Sequence, residues 1–193
     1  MNYAAVQQKA PGLRIHITGA AGSGVTTLGA GLARALRLTH LDIDDFYWLP
    51  GDVPLGERRD PEECILRIAE AQGTGDWVLS GSLMGWGESL VAEASAILFL
   101  TAPTPVRMDR LRAREAQRYR GRIAPGGDMH GRHETFLAWA ERYDDPDFRG
   151  RSRAAHEDWL ARQAAPVLRI DGGLDADAAL AAARDAVRAC QAA

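Results

Sequence analysis

At 193 residues, 46% hydrophobic and 25% charged, the chain has the size and composition of one globular domain with a sizeable core and no room for a second. The net charge of −3 gives no reason to expect a nucleic-acid polymer as partner. No apolar run approaches the roughly 18 residues of a membrane span, and residues 1–12 lack the basic-then-apolar pattern of a signal peptide, so a reducing cytoplasm is the expected compartment. Cys64 and Cys190 lie far apart and at no metal-ligand spacing, which points away from a disulfide framework or a zinc site.

The first predicted element is an alternating strand with Leu13, Ile15 and Ile17. It runs into Thr18-Gly19-Ala20-Ala21-Gly22-Ser23-Gly24-Val25-Thr26-Thr27 and then an amphipathic helix with Leu28, Leu32 and Leu36 on one face. A strand, a Gly-rich turn and a helix N-terminus aim several backbone N–H groups and the positive end of a helix dipole at one point, where an anion belongs. Against GxxxxGK[ST], Gly19 and Gly24 have the right spacing and Thr26 takes the hydroxyl position, but Val25 stands where the lysine should be. A ligand-free turn requires less than three glycines and two hydroxyls. The dinucleotide fingerprint GxGxxG fails because Thr27 occupies its third glycine position. Of the 23 basic residues only Lys9 is a lysine, so no neighbouring lysine can stand in for Val25 by a one-residue shift.

The stretch resembles the phosphate loop of P-loop NTPases, and more narrowly that of the small adenylate-kinase-like phosphotransferases, a group that includes nucleoside monophosphate, shikimate and gluconate kinases. The resemblance implies ATP phosphates on the N–H groups between Gly19 and Thr27, with the Thr26 hydroxyl on Mg²⁺.

A short strand is expected over 39–43, ending in Asp42-Ile43-Asp44-Asp45 before Phe46, Tyr47 and Trp48. Ligands bind outside the carboxyl ends of parallel strands, so Asp44 and Asp45 should face the crevice of the phosphate loop. Asp42 and Asp44 are similar to an acidic pair of the shikimate-kinase branch, which implies Mg²⁺ through water at Asp42 and substrate hydroxyls at both. Read without the resemblance, they are a solvated Asp-rich loop. Residues 50–59 are Gly- and Pro-rich and should be a loop. A helix then starts with Asp60 as cap, Pro61 at its first position and Glu63 completing a capping box. In the resembling kinases this region is an acceptor-binding lobe, here about 45–72, in which Arg58 or Arg59 would hold an anionic acceptor; by themselves the two arginines read as surface. Residues 77–80 form the third strand. Gly81 and Ser82 follow it, similar to shikimate-type loops whose glycine N–H groups touch the acceptor, while Ser80 replaces a possible Walker B aspartate; the plain reading is a βα turn.

Residues 96–100 make a wholly apolar strand, and Pro103 or Pro105 opens the next helix. On it Arg107, Arg110, Arg114 and Arg118 recur at spacings of three, four and four and share one face. The helix resembles the one that leads into the adenylate-kinase lid, which implies Arg110 on adenine and Arg114 on phosphates; the ordinary alternative is a solvent-facing basic stripe. Residues 121–131 suit a flexible lid loop, and Met129, His130 and His133 are weak metal candidates. Arg142-Tyr143-Asp144-Asp145 with Arg151 and Arg153 resembles the adenylate-kinase R-x-D-D motif followed by two arginines one residue apart, which line the transfer site when the lid, here about 114–153, closes. Between residues 107 and 153 there are twelve arginines and eight acids. A helix opens at Ser152 or Arg153, residues 166–171 form the last strand, and Gly172 lies where the resembling kinases hold adenine through backbone contacts. Asp175 caps an Ala-rich terminal helix.

The resemblance thus implies a three-layer αβα P-loop fold with a five-stranded parallel sheet in the order 2-3-1-4-5, spanning 1–193 as a single domain. The expected activity is transfer of a phosphoryl group from MgATP to a small-molecule acceptor. Asp44 would orient or deprotonate the acceptor hydroxyl, and Arg114, Arg142, Arg151 and Arg153 would carry phosphate charge. A monomer or weak homodimer is expected, away from membranes. Val25 keeps a second class open, a nucleotide-binding sensor without turnover. An NAD(P)-dependent oxidoreductase is the third, weakened by the missing glycine.

Overall fold

A computed structural model describes residues 12–50 and 56–192. The segment read for a signal peptide, except Gly12, lies outside the described residues, as do Lys9 and positions 51–55 of the expected loop and acceptor lobe. Five strands, β1 (Arg14–Gly19), β2 (Thr39–Asp42), β3 (Trp77–Ser80), β4 (Ala96–Thr101) and β5 (Val167–Asp171), form one parallel sheet in the order β2-β3-β1-β4-β5. This is the expected order. It places β3 rather than β2 beside β1, unlike the dinucleotide fold, and so removes the structural basis for the oxidoreductase reading.

Alternation along the strands builds two cores. Ile15 and Ile17 of β1 point to one face, where α1 (Val25–Leu36) and α7 (Ala176–Ala192) cover them with Leu28, Leu32, Ala183 and Val187. Leu79 of β3 and Ile97 and Phe99 of β4 point to the other, under Ile68 of α3 (Pro61–Gln72) and Trp159 and Leu160 of α6 (Arg153–Leu160). The central strand β1 is thereby fixed on both faces and both edges, and the phosphate loop leaves from its carboxyl end. No helix among the described residues is long and apolar enough to cross a membrane.

The details depart from sequence expectation where side chains bond their own backbone. β2 stops at Asp42 because the Asp42 carboxylate accepts from the Asp44 N–H at 3.1 Å, starting a short helix, α2 (Ile43–Tyr47), that periodicity had not indicated. Asp60 caps α3 as expected, accepting from Glu62 and Glu63 N–H, but Glu63 spends its carboxylate on Arg59 and Arg67, so only half a capping box forms. The expected flexible lid loop is a compact turn: Arg120–Ile123 is a 3₁₀ turn, Met129 N–H donates to Arg122 O at 3.0 Å, and α5 (His130–Glu141) begins at its end. The arginines of α4 (Thr104–Tyr119) do not form one solvent face, since Arg107 lies in the interior with Met108 and Leu111.

Gly29 marks a close approach of α1 to the sheet: a Cβ there would stand 2.7 Å from His40 Nε2 and 2.9 Å from Ser80 Cβ. An exposed helical glycine gains about 1 kcal/mol on replacement by alanine. Here the methyl would push α1 off β3 and disturb the 2.9 Å His40–Ser80 hydrogen bond. Gly29→Ala is therefore expected to lower unfolding stability by about 1–3 kcal/mol, read by urea titration; a stabilised variant would contradict this packing.

Candidate active site

The loop between β1 and α1 is closed from inside. The Ala20 carbonyl accepts both the N–H (3.1 Å) and the hydroxyl (2.8 Å) of buried Ser23. Gly22 has φ +81° and Gly24, the residue before the first turn of α1, has φ +100°, a region L side chains rarely adopt. They are glycines for different further reasons. A Cβ on Gly22 would stand 2.6 Å from the Arg107 carbonyl oxygen, whereas the nearest atom to one on Gly24 would be a Leu100 methyl at 3.9 Å, which leaves room in front of the helix N-terminus. A cleft of about 200 Å³ adjoins the loop, between Thr27 and Leu28 on one side and Leu174 and Ala176 on the other. Arg110 and Gly172 line it, but the Arg110 guanidinium donates to the carbonyls of Gly172, Gly173 and Leu174, and Gly172 N–H donates to Thr101 O at 2.8 Å. Both residues thus shape the cleft wall with polar groups already engaged.

At the carboxyl end of β2, the Asp42 carboxylate lies within the influence of the Thr26 hydroxyl, two residues expected to share a metal. Burial, helped by the charges of Asp44 and Asp45, holds the Asp42 pKa above the usual carboxylate range, against the bond from Asp44 N–H and the effect of Thr26. This all-oxygen set suits Mg²⁺, which takes one or two protein ligands and completes its shell with water and phosphate. Among the described residues no group of three or more His, Cys, Asp or Glu is placed to hold a metal unaided.

Asp44 accepts from Trp48 Nε1 at 3.3 Å, and its charge acts on Arg151. Arg151 lies over the Trp139 ring at 5.0 Å, with its Nε buried and without a partner, and Trp139 belongs to the apolar cluster that includes Ala21 of the phosphate loop. Burial lowers the Arg151 pKa while Asp44 acts in the opposite sense.

The other expected residues are engaged elsewhere. Arg114 pairs with buried Glu115 at 2.8 Å, Arg142 with Asp145 at 3.0 Å over the Phe148 ring, and Arg153 with Asp144 at 2.6 Å. Arg58 lies against the Tyr47 and Trp48 rings, and Arg59 bonds Phe46 O and Glu63. Gly81 spends its N–H on Ile17 O at 3.0 Å and sits under Ile43, so that N–H is not presented to an acceptor; Ser82 offers its carbonyl to Trp86 Nε1.

Sequence reasoning missed the burial of two polar groups that reach the loop or the residue before it. Arg107 is one. The other is His156, hydrogen-bonded to Tyr143 at 2.9 Å through Nδ1 and reaching Thr18, next to the loop, at 3.4 Å through Nε2. Arg107 had a signal, since it adjoins the buried stripe Met108, Leu111 and Tyr119 of α4.

No protein-family model matches the chain. It is 43% identical over 157 residues to the "Uncharacterized protein YqaC" of Bacillus subtilis (strain 168), covering 81% of this chain and 87% of that one. The chain belongs to the YqaC family. Among solved structures, this YqaC relative is similar to a gluconokinase from Sinorhizobium meliloti 1021 (TM-score 0.55, 18% identity, 94% of each chain). It is also similar to a shikimate kinase from Bacteroides thetaiotaomicron (TM-score 0.53, 17% identity, 91% of this chain and 98% of that one). At these identities the shared property is the P-loop kinase fold.

The buried histidines make a pH prediction. Burial, and for His156 also the charges of Arg151 and His16, lowers the pKa of His156 to about 3 and burial lowers that of His16 to about 4. Unfolded histidine takes its proton near 6.5, so between that value and the folded pKa the unfolded chain binds more protons. The stabilisation is complete above pH 6.5 and declines as pH falls, by about 2 kcal/mol per histidine between pH 7 and pH 5. Urea unfolding at the two pH values should show this loss, reduced in His156→Gln; stability independent of pH over that range would contradict it.

Proposed function

We propose that this YqaC-family protein is a phosphotransferase that takes MgATP on the Gly19–Thr27 loop and passes its terminal phosphoryl group to a small-molecule acceptor held near Asp44. The observation that carries the reading is Arg151, a largely buried cation with no carboxylate in ion-pair contact among the described residues, lying over Trp139, whose cluster includes Ala21, and favoured by the charge of Asp44. An unpaired buried cation that feels the charge of the proposed acceptor carboxylate suits phosphoryl transfer, to which a protein contributes in-line positioning and positive charge more than covalent chemistry. That two structures sharing the fold are named as gluconokinase and shikimate kinase supports a small-molecule acceptor.

In this reading the N–H groups from Gly22 to Thr26 bind the β- and γ-phosphates, and the cleft beside Thr27 and Leu174 takes the base, with Arg110 and Gly172 as its wall. Thr26 and, through water, Asp42 would hold Mg²⁺, which neutralises charge on the phosphate oxygens. Asp44 orients the acceptor hydroxyl and accepts its proton. Arg151 meets the transferring group. Arg114, Arg142 and Arg153 act only on leaving Glu115, Asp145 and Asp144, and Arg58, Arg59 and Ser82 set the acceptor side.

If Arg151 meets the γ-phosphate mainly in the transition state, Arg151→Ala should lower kcat at least a hundredfold while changing ATP affinity less than tenfold. Equal losses in both, or none, would remove Arg151 from the transfer step. Val25 favours one other reading, a nucleotide binder without turnover. Installing the lysine separates the two. In a weakened site Val25→Lys should tighten ATP binding by about 1.5–3 kcal/mol, the range of a hydrogen bond to a charged group. Where Arg151 already supplies the charge, affinity stays flat or falls and the natural protein releases ADP with a suitable acceptor. Natural protein that binds ATP, releases no ADP, and gains affinity from the lysine would overturn the kinase reading.

A further inference from the structure

Arg107 is the largest of the fully buried side chains among the described residues, and a guanidinium withdrawn from water is costly unless its donors are matched. Its four Nη hydrogens are matched, and only its buried Nε has no hydrogen-bond partner. Nη1 donates to Ala21 O at 3.3 Å and Ala140 O at 3.1 Å; Nη2 donates to Thr104 Oγ1 at 2.8 Å and Asp144 Oδ2 at 3.3 Å. One acceptor, Ala21 O, belongs to the phosphate loop itself. In a planar trans peptide the carbonyl and the following N–H point in opposite directions, so a donor that holds Ala21 O from behind turns the Gly22 N–H to the front. The contact is doubled by backbone, because the space where a Gly22 Cβ would be is closed by the carbonyl oxygen of Arg107, at 2.6 Å.

We propose that Arg107 is the positioning residue of the phosphate loop, holding the Ala21–Gly22 peptide so that its N–H faces the anion and supplying, from behind the loop, fixed positive charge that Val25 does not provide. The inference rests on the phosphate-loop reading above. Charge count supports it. Asp144 is shared: it accepts from Arg107, from Thr104 at 2.6 Å and from Arg153 at 2.6 Å, so two guanidinium groups face one carboxylate and a net charge of about +1 stays beside the loop. Tyr143 presents its ring to both cations, at 5.0 Å and 5.8 Å, and adds no charge of its own near neutral pH. Through Asp144 the loop and the arginine segment share one anchor.

The test is an amide and guanidinium NMR titration of the full chain with inorganic tripolyphosphate, in the natural protein, Arg107→Met and Arg118→Met. Arg118 lies over Tyr119 on the exposed side of α4, and its loss removes the same formal charge away from the loop. In the natural protein the Gly22 and Gly24 amides should shift on titration. Arg107→Met should weaken binding at least tenfold and lose the Gly22 shift before that of Gly24, while Arg118→Met stays within twofold. A folded Arg107→Met protein with natural affinity and an unchanged Gly22 response overturns the proposal and leaves the phosphate loop standing. No response between Gly22 and Thr26 in the natural protein removes both. Should Arg107→Met fail to fold, the natural protein decides: its Arg107 guanidinium signals must move as the anion binds, and signals indifferent to it overturn the proposal.

Discussion

A guanidinium without access to water is costly unless most of its N–H groups are matched, and the acceptors that the two Nη groups of Arg107 find determine how three segments of this protein meet. Ala21 belongs to the phosphate loop, Ala140 closes α5, and Asp144 starts the run that leads to Arg151 and Arg153. The loop is therefore held from behind by a long-range side-chain anchor as well as from inside by Ser23. Removing one partner of such a buried set leaves the others desolvated and unmatched, so the arrangement tolerates little drift.

Around that anchor the positive charge is sorted. Between residues 107 and 153 arginine outnumbers acid, and five of the twelve guanidinium groups are paired with Glu115, Asp128, Asp144 and Asp145. Exposed pairs of this kind contribute little to stability, roughly 0–1 kcal/mol each. Arg151 is not among these pairs; it lies over Trp139 and its charge is favoured by Asp44.

Much of the frame was legible in the sequence because it rests on local chemistry. The apolar run before Thr101, the strand at Trp77–Ser80, the caps at Asp60 and Asp175 and the glycine turn after β1 each announce themselves within a few residues. The strand order came from the likeness of the loop to known kinases; periodicity alone gives no order. The basic face of α4 misled because a spacing of three and four identifies residues that share a helix side without saying what packs on it. Arg107 faces Ala140 and Asp144, more than thirty residues away in sequence, and the Asp44–Arg151 relation spans over a hundred. Such pairings arise only when the chain is folded. The short helix after Asp42 was missed for a different reason, since one side-chain bond to the Asp44 N–H ended a strand that composition would have let continue.

In the function proposed above, the loop receives the phosphates of a nucleotide and Arg151 meets the group to be transferred. The most direct measurement is a crystal structure of the full chain with Mg²⁺ and a non-hydrolysable ATP analogue. The account predicts the β- and γ-phosphates on the N–H groups from Gly22 to Thr26, the base in the cleft beside Leu174, and the Arg151 guanidinium within hydrogen-bond reach of the γ-phosphate. A nucleotide bound elsewhere, or phosphates on the loop with Arg151 turned away from them, would contradict it.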